Sequence, residues 1–213
     1  KPGAGGYIAW GHVASSDPDG YTLLLAENAL AISQALYKRT KSNFDPITQY
    51  DAVTGIAVSP SALVVANNIP ANSVAELLAY SKTVKEEMNF ASAGIGSVSH
   101  LNFEVFMDKT GMKAIHVPYK GGGQAIGDVV AGHVPMMFAQ PGTVLGLIGQ
   151  GKLIPLAMTG DRRWTGLPKV PTFAESGLPG MESSSSWHVM VPTGTPRAVI
   201  QSLSASLKKT LAS

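Results

Sequence analysis

The sequence predicts an α/β fold with mainly parallel strands. Three observations carry that expectation. β-prone segments alternate with helical patterns along most of the chain. Two of the strand-to-helix junctions are glycine-rich loops that open directly onto a helix. At 213 residues, 45% hydrophobic and only 14% charged, the chain is long and apolar enough to bury a substantial core, in one domain or two lobes.

Tyr7 to Ser15 reads as a short helix entered from a glycine loop, and Ser16-Asp17-Pro18-Asp19-Gly20 is a dense turn signal. The apolar run Tyr21 to Ala26 is expected to be a buried strand, and Ala29 to Tyr37 has helical spacing until Phe44-Asp45-Pro46 breaks it. Tyr50 to Val58, with Gly55 inside it, and Leu63 to Ala66 are the next strands. Ser73 is placed to cap a helix over Val74 to Lys85, with Glu76 as capping-box partner.

The two glycine-loop units follow. Met88 to Ser92 is a strand, Ala93-Gly94-Ile95-Gly96-Ser97 the loop, and Val98 to Asp108 the helix. In the second unit Ala114 to Tyr119 is the strand, Gly121-Gly122-Gly123 the loop, and Gln124 to Ala131 the helix. A strand over Val134 to Phe138, a helix over Pro141 to Gln150 and a strand over Leu153 to Thr159 complete the alternation. Gly160 to Gly180 is loop-rich with three prolines, and Ser183 to Val191 is β-prone around Trp187 and His188. Pro196 to Leu211, opened by Thr195, is an amphipathic helix with apolar residues at Val199, Ile200, Leu203, Leu207 and Leu211. No repeat period is visible, and composition does not place a joint between lobes.

Composition narrows the function. Sixteen basic and fourteen acidic residues give a net charge of +2, and no run of Lys or Arg exceeds two, which argues against nucleic acid as a partner. Cysteine is absent, so disulfides, thiolate metal sites and cysteine nucleophiles are excluded. No segment reaches the roughly 18 uninterrupted apolar residues of a membrane span; Tyr21 to Tyr37 is broken by Glu27, Asn28 and Gln34. Opening at Lys1-Pro2-Gly3-Ala4-Gly5-Gly6 without a start methionine, the chain is expected to begin inside its domain.

The glycine loops carry the chemistry. The amides of Gly96, Ser97 and Val98 and the hydroxyls of Ser92, Ser97 and Ser99 suit a carboxylate or phosphate at a helix N-terminus. The alternative is a tight turn with Ser97 or Ser99 as helix cap, and the sequence weighs the two evenly. Gly151-Lys152 lacks the rest of a nucleotide loop, and no Gly-x-Gly-x-x-Gly is complete. Phe90-Ala91-Ser92-Ala93-Gly94 resembles a nucleophile elbow but places Phe where that turn needs glycine, so a serine hydrolase is the minor alternative.

His12, His100, His116, His133 and His188 show no metal-ligand spacing, and neither metal nor cofactor is expected. His100 falls in the first turn after Ser97, where it is placed to bond the loop backbone or reach an anion; His116 is expected to pack. Tyr119 and Lys120 precede the second loop as a phenol donor and a cation, although Lys120 reads first as solvated. Glu27 and Asn28 follow a strand, where polar residues are informative, and Trp187 either stacks on a ligand or fills an interface. Binding donors are present without a nucleophile and base, so the chain is expected not to be an enzyme.

Six segments in order carry a resemblance. They are Pro2-Gly3-Ala4-Gly5-Gly6, Pro18-Asp19-Gly20-Tyr21-Thr22-Leu23, Ser92 to Ser97 with His100-Leu101, and His116-Val117-Pro118-Tyr119-Lys120-Gly121-Gly122. Pro168 through Pro171-Thr172-Phe173-Ala174-Glu175-Ser176-Gly177-Leu178-Pro179-Gly180, and Pro192 through Gly194-Thr195-Pro196, complete the set. Together they resemble the Bug, or TctC-like, periplasmic solute receptors of tripartite tricarboxylate transporters, over nearly the whole chain.

The resemblance implies a two-lobed type II periplasmic-binding-protein fold, monomeric and periplasmic, that closes on a small organic acid and hands it to membrane subunits. It implies one lobe from residues 1–66 and 157–213 and another from 67–156 that carries both glycine loops. It also implies that the family's first strand-loop-helix and last helical segment are missing here. By resemblance the ligand carboxylate is held by Ser92, Gly94, Gly96, Ser97, Tyr119, Gly121 and Gly122, and Ala93, His100, Gln140, Asn28 and Trp187 are the further candidates. Gln140 stands where many relatives carry Asp or Asn, which leaves an uncharged or amide-bearing ligand as the alternative.

Overall fold

A computed structural model of the chain describes residues 6–32, 45 and 48–212. The chain separates into two compact units, Lys1–Val58 with Ser185–Ser213, and Ser59–Ser184. These boundaries differ from the expected 66/67 and 156/157. The reason is strand pairing: Ala62–Ala66 and the last two residues of Leu153–Met158, Ala157 and Met158, expected in the other lobe, belong to one sheet with the strands of the glycine loops.

The smaller unit holds α1 (Tyr7–Ala14), β1 (Leu24–Glu27), most of β2 (Tyr50–Pro60) and, from the far end of the chain, most of β8 (Ser184–Pro192) with α6 (Arg197–Leu211). Its sheet has the order β1-β8-β2, with β1 antiparallel to β8. The expected buried strand over Tyr21 to Ala26 is corrected: β1 starts at Leu24, Tyr21 is 91% exposed, and only Leu24 and Ala26 are buried. β1 is covered on one face only, so Leu24 and Ala26 are buried while Leu25, equally apolar, is exposed.

Trp10, Val13, Leu24, Ala26 and Tyr50 pack together in this unit, and the Tyr50 hydroxyl donates to the Trp10 carbonyl. α6 lays Ile200, Leu203 and Leu207 against Val53, Val189 and Val191, whereas Leu211 is exposed. Thr195 does not cap this helix; its hydroxyl donates to the Pro192 carbonyl (2.7 Å), and Pro196 takes the N-cap position. Residues 29–32 are helical; the rest of the helix expected to Tyr37, and Phe44 and Pro46 of its breaker, lie outside the described residues.

The larger unit holds β3 (Ala62–Ala66), α2 (Val74–Ser81), β4 (Met88–Ser92), α3 (Val98–Thr110), β5 (Ala114–Pro118), α4 (Gly122–Val130), β6 (Met136–Ala139), α5 (Pro141–Gly149) and β7 (Leu153–Met158). Its five-stranded sheet has the order β5-β4-β6-β3-β7. β4 is parallel to β5 and β6, but β3 is antiparallel to both β6 and β7, so four strands run one way and β3 the other. The sheet is therefore mixed, and every pairing made by β3 departs from the parallel expectation. Every residue of β3 and of β6 is buried, as continuous apolar runs between two covered faces require.

Local signals set several ends. The Ser73 side chain accepts the Glu76 amide (3.1 Å), but the Glu76 carboxylate reaches the Asn72 amide (2.7 Å), one residue before the capping-box position. α2 ends at Ser81, short of the expected Lys85, with Lys82 as its C-cap. α4 begins inside the triple glycine, at Gly122. α3 stops at Gly111, whose left-handed φ of 68° closes the helix.

Candidate functional site

The carboxyl ends of β5, β4 and β6 lie side by side, and each runs into a helix. The registers Ser92↔Pro118 and Ala91↔Met137 set the three ends level. With neighbouring strands about 4.8 Å apart, the three loops extend over about 10 Å. They bring together Ser92, Ala93, Gly94, Gly96, Ser97 and His100 before and at the start of α3, Tyr119, Gly121 and Gly122 before and at the start of α4, and Gln140 at the N-cap of α5. Ligand crevices in α/β sheets form at such ends.

The first loop is closed upon itself. Gly94 and Gly96 hold φ angles of 130° and 80°, which lets the chain turn back over the end of β4. The Ser92 hydroxyl accepts the Gly94 amide (3.1 Å), and Ser97 Oγ donates to the Gly94 carbonyl (2.7 Å). Ser99 Oγ accepts the Ala93 amide (3.0 Å) and lies 2.9 Å from Ser97 Oγ. Of the three amides expected to face an anion, Gly96 donates to His100 Nδ1 (3.2 Å) and Ser97 to the Gly94 carbonyl (3.1 Å). Val98 alone of the three is left by its helical position without an intrahelical acceptor.

His116 does more than pack. Its Nε2 lies 2.6 Å from Ser92 Oγ, and its ring stacks on Phe90 (4.8 Å between centroids) and on His100 (4.0 Å). His116 faces Phe90 across the β4–β5 register, which places it on the same side of the sheet as Ser92, two residues on. Burial first, and the neighbouring His100 charge second, hold its pKa down at about 4. The unfolded chain takes up this proton near the ordinary value of 6.5, the folded one only near 4. Stability is therefore expected to fall as pH is lowered from 6.5 through about 4, and an NMR titration should find the His116 ring still neutral below 6.5 and taking up its proton only near 4. A ring that titrates at its ordinary value would show that the stack does not exclude the charge.

A serine 2.6 Å from an imidazole is also the spacing of a nucleophile–base pair. Here Ser92 is fully buried and its oxygen already receives the Gly94 amide. Among the described residues no carboxylate bonds the second nitrogen of His116. The pair supports a loop and lacks the access and the orienting third group of a catalytic triad.

The second loop is open by contrast. Gly121 has no side-chain cap on α4, and a Cβ added at Gly121, Gly122 or Gly123 would meet no atom within 4 Å. The first-turn amides of Gly122, Gly123 and Gln124 have no intrahelical acceptor. The Tyr119 hydroxyl donates to Asp128 Oδ2 (2.6 Å), and burial followed by that carboxylate pushes its pKa to about 12. The phenol is thus committed within the unit, and Lys120 is exposed. Asp128 was not singled out in the sequence; its place in the second turn of α4 behind the glycine loop is the signal that points to it.

The remaining candidates belong to the smaller unit, where they neighbour one another. Asn28 donates its amide to the Ser186 carbonyl (3.2 Å), and Trp187 pairs with Glu27 in the β1–β8 register. Glu27 has its carboxyl pushed up by burial, with the Ser185 hydroxyl lowering it in part. Among the described residues no three His, Cys, Asp or Glu side chains form a metal-binding group.

The family model described as "Tripartite tricarboxylate transporter family receptor", TctC, matches residues 1–213. A Pseudomonas sp. (strain P51) protein, "UPF0065 protein in tcbD-tcbE intergenic region", is 33% identical over 213 residues, all of this chain and 63% of its own length. Among solved structures, the periplasmic binding protein BugD is 32% identical with a TM-score of 0.94, covering 100% of this chain and 71% of its own. R. palustris Rpa4515 with adipate is 32% identical with a TM-score of 0.88, covering 99% and 69%. MatC from Rhodopseudomonas palustris with bound malate is 27% identical with a TM-score of 0.90, covering 99% and 71%. The chain spans 63% of the length of the first curated relative, and its α/β architecture is that of a periplasmic binding protein. It belongs to the family of tripartite tricarboxylate transporter receptors.

Proposed function

We propose that this chain is the ligand-binding part of a periplasmic receptor that captures a small organic carboxylate, a short dicarboxylate foremost, for the membrane subunits of a tripartite tricarboxylate transporter. The observation that carries the reading is the row of three level strand ends, each leading into a helix N-terminus, with an uncapped glycine start on α4. Helix starts favour anions through their free amides and the positive end of the dipole. A row about 10 Å long suits a molecule with a carboxylate at each end. Adipate and malate, found with two relatives, are both of that kind.

In this reading Ser92, Ala93, Gly94, Gly96, Ser97, His100, Tyr119, Gly121, Gly122 and Gln140 serve the larger unit's half of the site, and Asn28 and Trp187 serve the smaller unit's. The receptor acts as a monomer and catalyses nothing. Binding draws the two units closed, because a ligand favours whichever conformation it contacts better. Gln140, uncharged at the end of β6, is the observation that favours an amide-bearing ligand as the second reading.

A thermal-shift screen of the protein against mono-, di-, tri- and aromatic carboxylates and their amides tests both. A ligand at ~1,000 times its Kd adds about 4 kcal/mol, a shift of several degrees at this size. Dicarboxylates are expected to give the largest shift. Hits confined to amides would transfer the reading to the second class, and silence across the panel would overturn both.

A further inference from the structure

We propose that the site takes up a proton together with its anion and that His100 carries it, an inference that rests on the receptor reading above. The geometry of His100 motivates this. Its Nδ1 accepts the Gly96 amide (3.2 Å) and its Nε2 lies 3.2 Å from Glu104 Oε1. An imidazole that accepts at Nδ1 and donates from Nε2 is neutral, so the closed first loop is the form that holds no extra proton.

Protonation places a second N–H on the ring, at Nδ1. That N–H then meets the Gly96 N–H donor to donor, and the amide must leave. The freed amide joins those of Val98 and Ser99 at the start of α3, and the ring adds a positive charge beside them. Both changes favour a carboxylate, and a carboxylate in the loop favours the charged ring in turn. Proton and anion therefore assist each other's binding by the same factor.

Few other groups compete for the proton. β4 and β6, against which α3 packs, carry no ionisable side chain facing His100; β5 brings His116, and α3 itself brings Glu104. The two rings stack 4.0 Å apart, too close for both to be charged cheaply. The His116 ring is the one held neutral, with a pKa of about 4, and the Glu104 carboxylate pairs with His100. The His100 side chain is 17% exposed, which leaves it a route for exchange with solvent.

Calorimetry of adipate and malate binding, run in buffers of different ionisation heat from about pH 6.5 to 8.5, tests the proposal, since both ligand carboxylates stay ionised there. The expected result is a net uptake of up to one proton per ligand. Affinity should rise as pH falls, by at most about tenfold per unit, the limit for one linked proton. His100→Asn keeps an acceptor near the Gly96 amide and cannot titrate, so its affinity is expected to be the same across the range. Glu104→Gln removes the partner of the charged ring and is expected to reduce the uptake, which provides a second variant if the first does not fold. Saturable binding without proton uptake, or uptake that persists in His100→Asn, overturns this proposal and leaves the receptor reading standing. No saturable heat from either acid or from the rest of the carboxylate panel overturns both.

Discussion

Replacing Phe103 by alanine is expected to cost about 3–5 kcal/mol, the range for deleting a buried aromatic ring. Phe103 is fully buried on the inner face of α3, stacked on Phe90 with centroids 4.1 Å apart and edge-on to Phe106 and Phe138 at 5.7 and 5.3 Å. Phe106 and Phe138 in turn meet Phe173, so the cluster ties α3, β4 and β6 to the loop after β7. Removing the central ring leaves a cavity bounded by rigid neighbours that cannot collapse into it. Phe103→Leu retains most of the volume and should cost well under half as much. Urea unfolding monitored on the larger unit checks this through the midpoint at unchanged slope. A loss below about 1 kcal/mol would mean that the ring stack contributes little packing.

Binding should respond most to a carboxylate placed in the open loop. Gly123→Asp is expected to lower adipate affinity at least tenfold, and by up to several hundredfold, while the fold is kept or strengthened. The position is exposed, has an ordinary backbone conformation, and offers open space to a Cβ. A fixed negative charge in the first turn of α4 stabilises the helix by about 0.3–1 kcal/mol, and replacing glycine helps further. The same charge occupies the amides meant for the ligand. Two like charges about 4 Å apart at a protein surface repel by up to about 4 kcal/mol, which sets the upper limit. Gly123→Asn has the same shape without the charge and should bind nearly as the parent does. Calorimetry with adipate, beside a melting curve for each variant, separates the two effects. Undiminished binding by the aspartate variant would remove the second loop from the site.

Both loops were legible in the sequence because their signals are local. A β-prone run, a glycine loop and a helical pattern each lie within a few residues, so Ser92 to Ser97 and Gly121 to Gly123 stand out without knowledge of the fold. The state of the loops was not legible. Gly96 and Ser97 spend their amides inside the first loop, and the Tyr119 phenol goes to Asp128, through contacts that depend on where the turns close. β1 misled for a related reason: Tyr21 to Ala26 reads as one apolar run, but which faces of a strand are covered depends on what packs on the sheet, and β1 is covered on one face only.

Short-range pattern and motifs in order were enough to set out the order of strands and helices, the two glycine loops and the likeness to a receptor family. Tertiary structure alone decided that β3 runs against its neighbours, that the units divide after Val58 and Ser184, and that His116 meets Ser92 and His100. Those facts depend on which strands pair and in what register. Period-two alternation fixes which face a side chain takes and leaves its partner across the sheet open. Ser92 and His116 are 24 residues apart in the chain, and only the parallel register of β4 on β5 brings them to 2.6 Å.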